Sequence, residues 1–122
     1  MIRALTLGAS VLASPVGATG LACTFTDLCA PLTDCQSHPG LPFTFELIDG
    51  ALALSTAEGI AFGTPLSHVE APALSLIFDT RPDQTLLLSV SNTGQAAMTQ
   101  HDFEAAGRLT SVSYFGTCEP AS

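Results

Sequence analysis

From residue 43 onward, apolar and polar positions alternate. Phe43, Phe45 and Leu47 fall on one face of an extended segment and Thr44 and Glu46 on the other, the period of two that marks a half-buried strand. Asp49-Gly50 comes next and supplies the positive-φ tolerance of a type I′ hairpin turn, beyond which Leu52 and Leu54 alternate again. A third short strand is predicted over residues 58–62, ended by Gly63-Thr64-Pro65. Residues 63–72 lie between two prolines, carry no period and read as a surface loop. Alternation resumes over 73–79 with Leu74, Leu76 and Phe78, turns at Arg81-Pro82-Asp83, and returns over 84–91 with Leu86, Leu88 and Val90. Asn92-Thr93-Gly94 makes a hairpin loop with glycine where positive φ is wanted, leading into a strand over 95–100. Residues 101–107 are expected to hold one helical turn, capped by Asp102 and stopped by Gly107, before a last strand over 108–117 that ends at Cys118.

Short strands recurring about every 8–12 residues, with no helix longer than a turn, predict an all-β fold: a small antiparallel meander forming a barrel or sandwich. Its expected core is Phe43, Phe45, Leu47, Leu52, Leu54, Phe62, Leu74, Leu76, Phe78, Leu86, Leu88, Val90, Val112 and Tyr114. Residues 19–42 differ. They hold three cysteines with Pro31, Pro39 and Pro42 and no sustained period, which predicts an irregular, disulfide-pinned lead segment ahead of an antiparallel domain over 43–122.

The first residues point to export. Met1-Ile2-Arg3, an apolar stretch over 4–13 and small residues up to Ala18 form the three regions of a secretory signal peptide, 1–18, with cleavage after Ala18. The apolar stretch is too short to span a bilayer and Pro15 breaks any continuation of it, so no transmembrane segment is expected. A competing cut after Ala22 places Cys23 in a lipobox-like setting, with Leu21 one position late; lipid anchoring through Cys23 is the minor alternative. It would strand three thiols in an oxidising compartment, whereas Cys23, Cys29, Cys35 and Cys118 together make two disulfides. No pair has the C-x-x-C spacing of a redox or zinc motif. Three connectivities are open, and each ties Cys118 to the N-terminal group across 83 residues or more. Such a loop is worth about 4–5 kcal/mol in the chain-entropy treatment. The pairing favoured from the sequence is Cys35 with Cys118 and Cys23 with Cys29.

Charge narrows the partners. Eleven acids stand against three bases, Arg3, Arg81 and Arg108, for a formal −8 with no lysine. Nucleic-acid binding needs a basic patch for counterion release, so no nucleic acid is expected as a partner, and anionic membrane surfaces are disfavoured for the same reason. A cationic partner is electrostatically suited. No nucleophile elbow, zinc-protease motif, phosphate loop or dinucleotide fingerprint occurs, and the reading is of no catalytic residue, no metal and no cofactor. His38, His68 and His101 are isolated, and Met98 with His101 has the wrong spacing for one strand face. The acid pairs Asp102 with Glu104 and Asp79 with Asp83 read as solvated turn acids. The candidate binding surface is the 63–72 loop, with His68 and Glu70, together with the rings of Tyr114 and Phe115.

The leader, the three closely spaced cysteines and the terminal Tyr114-Phe115-Gly116-Thr117-Cys118 resemble a loose class of small exported, β-rich, disulfide-bearing proteins of Gram-negative bacteria. That resemblance implies localisation and architecture and carries over no catalytic residue. The chain also resembles the periplasmic inhibitors of c-type lysozyme, small disulfide-bearing β-barrels, with residues 89–94 as the analogue of their serine- and glycine-containing loop; it departs from them in having no lysine. The expectation is therefore a periplasmic or secreted, non-enzymatic domain that binds a protein or envelope component, the alternative being an inhibitor of a cationic cell-wall hydrolase such as c-type lysozyme.

Overall fold

The alternation resolves into eight strands in a computed structural model that describes residues 19–121: β1 (Gly20–Cys29), β2 (Gln36–Ile48), β3 (Ala51–Thr56), β4 (Gly59–Pro65), β5 (Leu74–Arg81), β6 (Gln84–Val90), β7 (Gln95–Phe103) and β8 (Leu109–Ala121). Each pairs antiparallel with its neighbour in sequence, and β8 returns to pair with β1, so the meander closes into a barrel. Closure leaves neither end of the meander as a free sheet edge. The signal peptide expected over residues 1–18 lies outside the described residues.

Inward positions are mostly apolar, and outward ones are polar more often than not. Phe25, Phe45, Phe78, Leu88 and Met98 are fully buried, with Leu41, Phe43, Leu52, Leu54, Leu74 and Tyr114 packed around them. Outward faces carry Thr24, Thr44, Glu46, Thr85, Thr99 and Ser111 together with exposed Ile60, Phe62, Leu87, Phe103, Leu109 and Phe115. Among the described residues no helix is long and apolar enough to cross a membrane.

The lead segment is more regular than its prolines suggest. Leu21, Cys23 and Phe25 alternate inward and pair with Phe45, Phe43 and Leu41 of β2, so the sequence's seven strands become eight. Irregularity is confined to residues 30–35 and to a register shift between Phe25 and Asp27. Pro42 sits inside β2 without penalty because it faces Thr24 on one side, while the β2–β3 ladder begins only at Glu46.

Three core assignments change. Leu47, near the barrel end, is 51% exposed and Phe62 is 49% exposed, while Val112, partly buried like Leu52 and Leu54, is not packed against the buried cluster as they are. On β4 it is Ala61 and Gly63 that face inward, because the Phe78 ring fills the space there: a Cβ on Gly63 would lie 2.8 Å from Phe78 Cζ. Phe62 instead stands outside, opposite Ala53. The expected helical turn shrinks to a 3-10 turn at Ala105–Gly107, with Glu104 rather than Asp102 at its cap position. His101 and Asp102 belong to β7, and Asp102 turns inward.

The disulfides are Cys23–Cys118 and Cys29–Cys35, not the favoured pairing. Barrel closure decides this, since the β1–β8 register sets Cys23 directly across from Cys118 with Cα atoms 4.0 Å apart. Cys35, immediately before β2, lies at the far end of the barrel beside Cys29, the end of β1.

Candidate functional site

Two places on this frame carry side chains beyond the needs of folding. The first is outside. The registers align Ser75, Ser89, Ala97 and Phe115 in one row across β5, β6, β7 and β8. Three small side chains in succession leave a trough of about 510 Å³, bounded by Phe115 at one side and by Val69 of the β4–β5 loop at another. The Ser75 and Ser89 hydroxyls hydrogen-bond each other at 2.7 Å, which satisfies them across the floor. Ser91 and Gln95, at the β6–β7 turn, line the same trough.

The four residues nominated from the sequence do not converge. Phe115 is 42% exposed and lines the trough, whereas Tyr114, next to it on an alternating strand, points into the barrel. His68 and Glu70 are exposed on either side of Val69, and it is Val69 that reaches the trough. Met98 and His101 are separated by the barrel wall, Met98 fully buried and His101 exposed. The His38 Nδ1 accepts the Gly40 N–H at 3.0 Å, a local backbone role. Among the described residues no three His, Cys, Asp or Glu side chains cluster as metal ligands would.

The second place is inside, toward the end of the barrel that bears the β5–β6 turn. Gln84 extends the inward series of Leu86, Leu88 and Val90, and Gln100 and Asp102 extend that of Ala96 and Met98. The Asp102 carboxylate gathers them: Gln84 Nε2 donates to Oδ1 and Gln100 Nε2 to Oδ2, each at 2.9 Å, with Arg81 Nη2 at 3.4 Å from Oδ1. The Thr80 hydroxyl donates to Gln84 Oε1, and the Tyr114 hydroxyl to Gln100 Oε1 at 3.4 Å. The amide bonds from Gln100 and Gln84, with Arg81 adding to them, hold the Asp102 carboxyl below its ordinary range against the opposing effect of burial. Burial, and then the negative charge of Asp102, push the Tyr114 phenol upward. A cavity of about 390 Å³, lined by Thr80, Gln84 and Gln100 with Phe43, Leu54 and Leu86, opens beside this cluster between β2 and β3.

Sequence reasoning passed over Thr80, Gln84, Gln100 and Asp102 as strand ends and turn acids. The signal was parity: each glutamine sits an even number of positions from buried neighbours and therefore shares their face.

Both described arginines are engaged. Arg81 contacts Asp83 at 2.9 Å, Asp102 at 3.4 Å and Glu58 at 3.9 Å, and Arg108 pairs with Glu104 at 2.6 Å. Among the described residues, Asp27, Asp34, Glu46, Asp49, Glu70, Asp79 and Glu119 have no cation at ion-pair distance, so the surface presents uncompensated negative charge. No family model, no curated protein and no solved structure matches the chain.

Proposed function

We propose that this protein is an exported binding domain, a disulfide-stapled barrel that holds a protein or envelope component against its outer trough and performs no chemistry itself. The observation that carries the reading is the Ser75, Ser89 and Ala97 row beside exposed Phe115: small side chains admit a partner's protruding group, and an aromatic at the margin supplies an anchor. Two disulfides suit a life outside the reducing cytosol, where a leader of the kind at residues 1–18 would deliver the chain. The uncompensated carboxylates favour a cationic partner and speed its encounter.

The test is a photo-crosslinking amino acid placed at Ser89 of the full chain in its native envelope, with outward-facing Ser111 as the control position. A discrete adduct from Ser89, abolished by Ala97→Arg and missing from Ser111, is the expected result. No adduct, or the same adducts from both positions, overturns the reading.

The charge pattern, with Ser91 of the 91–94 turn at the rim of the trough, favours one second reading, inhibition of a cationic cell-wall hydrolase. Lysis of purified cell walls by a c-type lysozyme should then slow in proportion to added protein and recover with Phe115→Glu. An unchanged lysis rate at molar excess removes this reading.

A further inference from the structure

The barrel wall is thinly laddered on both flanks of the β3–β4 hairpin. The β2–β3 ladder comprises three pairs, Glu46 with Ala53, Leu47 with Leu52 and Ile48 with Ala51. Continued in register it would join Phe45 to Leu54 and Thr44 to Ser55, but the strands diverge there. On the other flank, β4 and β5 also share only three pairs. The β3–β4 hairpin is therefore held to the barrel at its base, and near its tip the Glu58 carboxylate lies 3.9 Å from Arg81. Pro42, which has no N–H to offer β3, borders the opening.

Behind the opening the amides are already oriented. An amide –NH2 has two N–H bonds, and Gln84 and Gln100 each give one to Asp102, which leaves one apiece. Their oxygens accept from Thr80 and Tyr114. What the two amides can still offer an incoming molecule is N–H donors, in a space whose apolar lining is Phe43, Leu54 and Leu86 and whose other margin carries Pro42, the exposed Thr44 and Ser55, and Thr56, whose hydroxyl is already held by Gly59 and Glu58. An anion would approach the Asp102 carboxylate without a free cation to offset it, because Arg81 is engaged. An eight-stranded barrel is of the size that either fills with side chains or holds one small ligand.

We propose that the opening between β2 and β3 is a binding site for a small neutral amphiphile, its hydroxyl or carbonyl oxygen taking N–H bonds from Gln84 and Gln100 and its apolar body lying against Phe43, Leu54 and Leu86. The cavity of about 390 Å³ sits at the small end of the range for such sites. The site is distinct from the outer trough and stands whether or not a partner docks there.

Tyr114 makes the test direct. It is the only tyrosine in a chain without tryptophan, and its hydroxyl contacts Gln100, so its fluorescence reports on this cluster. The disulfide-bonded protein is titrated with hexan-1-ol, heptan-1-ol and octan-1-ol, with octane and octanoate for comparison, while the side-chain amide resonances of Gln84 and Gln100 are followed by NMR. The expected result is a saturable change whose affinity tightens about threefold to fourfold per methylene. Octanoate should bind about tenfold more weakly than octan-1-ol, its desolvated carboxylate lacking a counterion. Gln100→Leu or Gln84→Leu should weaken octan-1-ol by about fivefold, one neutral hydrogen bond, and leave octane unaffected. The wild-type series decides the matter even if a variant fails to fold. Absence of saturation, octane or octanoate binding as tightly as octan-1-ol, or shifts confined to Ser89 and Ala97 would each overturn the proposal. So would a response to an extended peptide alone, which would make the opening a strand-docking gap.

Discussion

Removing one disulfide at a time separates two loop lengths within one molecule. Cys23 and Cys118 are 95 residues apart in sequence, and Cys29 and Cys35 are six apart. In the chain-entropy treatment the first link restricts the unfolded state by about 4.7 kcal/mol and the second by about 2 kcal/mol. For a domain near 100 residues, each kcal/mol moves the melting point by about 4–8 °C. Cys23→Ala with Cys118→Ala should therefore lower Tm by about 20–35 °C, and Cys29→Ala with Cys35→Ala by about 8–16 °C. Cys23 and Cys118 are also buried, so losing their sulfurs adds a small packing penalty in the same direction. Thermal and urea unfolding of the two double variants, followed by circular dichroism, gives the comparison. Cleavage after acidic residues verifies the starting material, because cuts at Asp27 and Asp34 place Cys23, Cys29 and Cys35 on three different peptides. Equal losses, or a larger loss from the short loop, would refute the reasoning and show that the unfolded chain is already restricted by residual structure.

Gly116→Ala should destabilise more than Gly63→Ala, because the added Cβ at 116 would meet the Thr24 backbone oxygen at 2.0 Å, whereas at 63 it meets the Phe78 ring, a side chain that can shift. Overpacking costs about 1–3 kcal/mol, and urea midpoints should place Gly63→Ala within that range and Gly116→Ala at or beyond its top. Met98→Ala, at a fully buried inward position of β7, should cost about 2–5 kcal/mol by the same measurement. Asp102 titrates in the folded barrel below its ordinary value of 3.8, so the unfolded chain takes up that proton first as the pH falls. The stability this provides is present above that value and is lost as pH drops through the folded one; Asp102→Asn should flatten the decline measured between about pH 5 and pH 2. The Tyr114 phenol, raised by burial and by Asp102, should ionise above 10.0 in an absorbance titration and move part of the way down in Asp102→Asn; wild-type stability should fall as the pH rises past the unfolded value. A Tyr114 midpoint unmoved by Asp102→Asn would contradict the charge coupling.

Much of this protein is readable along the chain because strand alternation is a local property. Side chains two positions apart share a face, so Leu86, Leu88 and Val90 announce a buried face without knowledge of what covers it, and Asp49-Gly50 announces a turn from backbone preference alone. The same rule holds in β1, where Leu21, Cys23 and Phe25 alternate, but the cysteines and prolines of this stretch mask it. Proline breaks a strand only where its missing N–H is needed, and at Pro42 that depends on how far the β2–β3 ladder extends. Phe62 and Gly63 illustrate a further limit. Which of two adjacent residues faces inward was settled by the bulk of Phe78 across the β4–β5 ladder.

The chain by itself therefore determined the all-β meander, its turns, most of its inward faces, four cysteines for two bridges and a surface of negative charge, all of which arise from neighbours in sequence or from counting. Tertiary structure alone decided that β8 closes on β1, which cysteine meets which, and that Ser75, Ser89 and Ala97 form a floor while Thr80, Gln84, Gln100, Asp102 and Tyr114 form a network. The reason is physical. Those groupings depend on strand register and on barrel closure, which are set by the simultaneous packing of residues as far apart as Gly20 and Ala121, and no local pattern encodes a contact with so distant a partner.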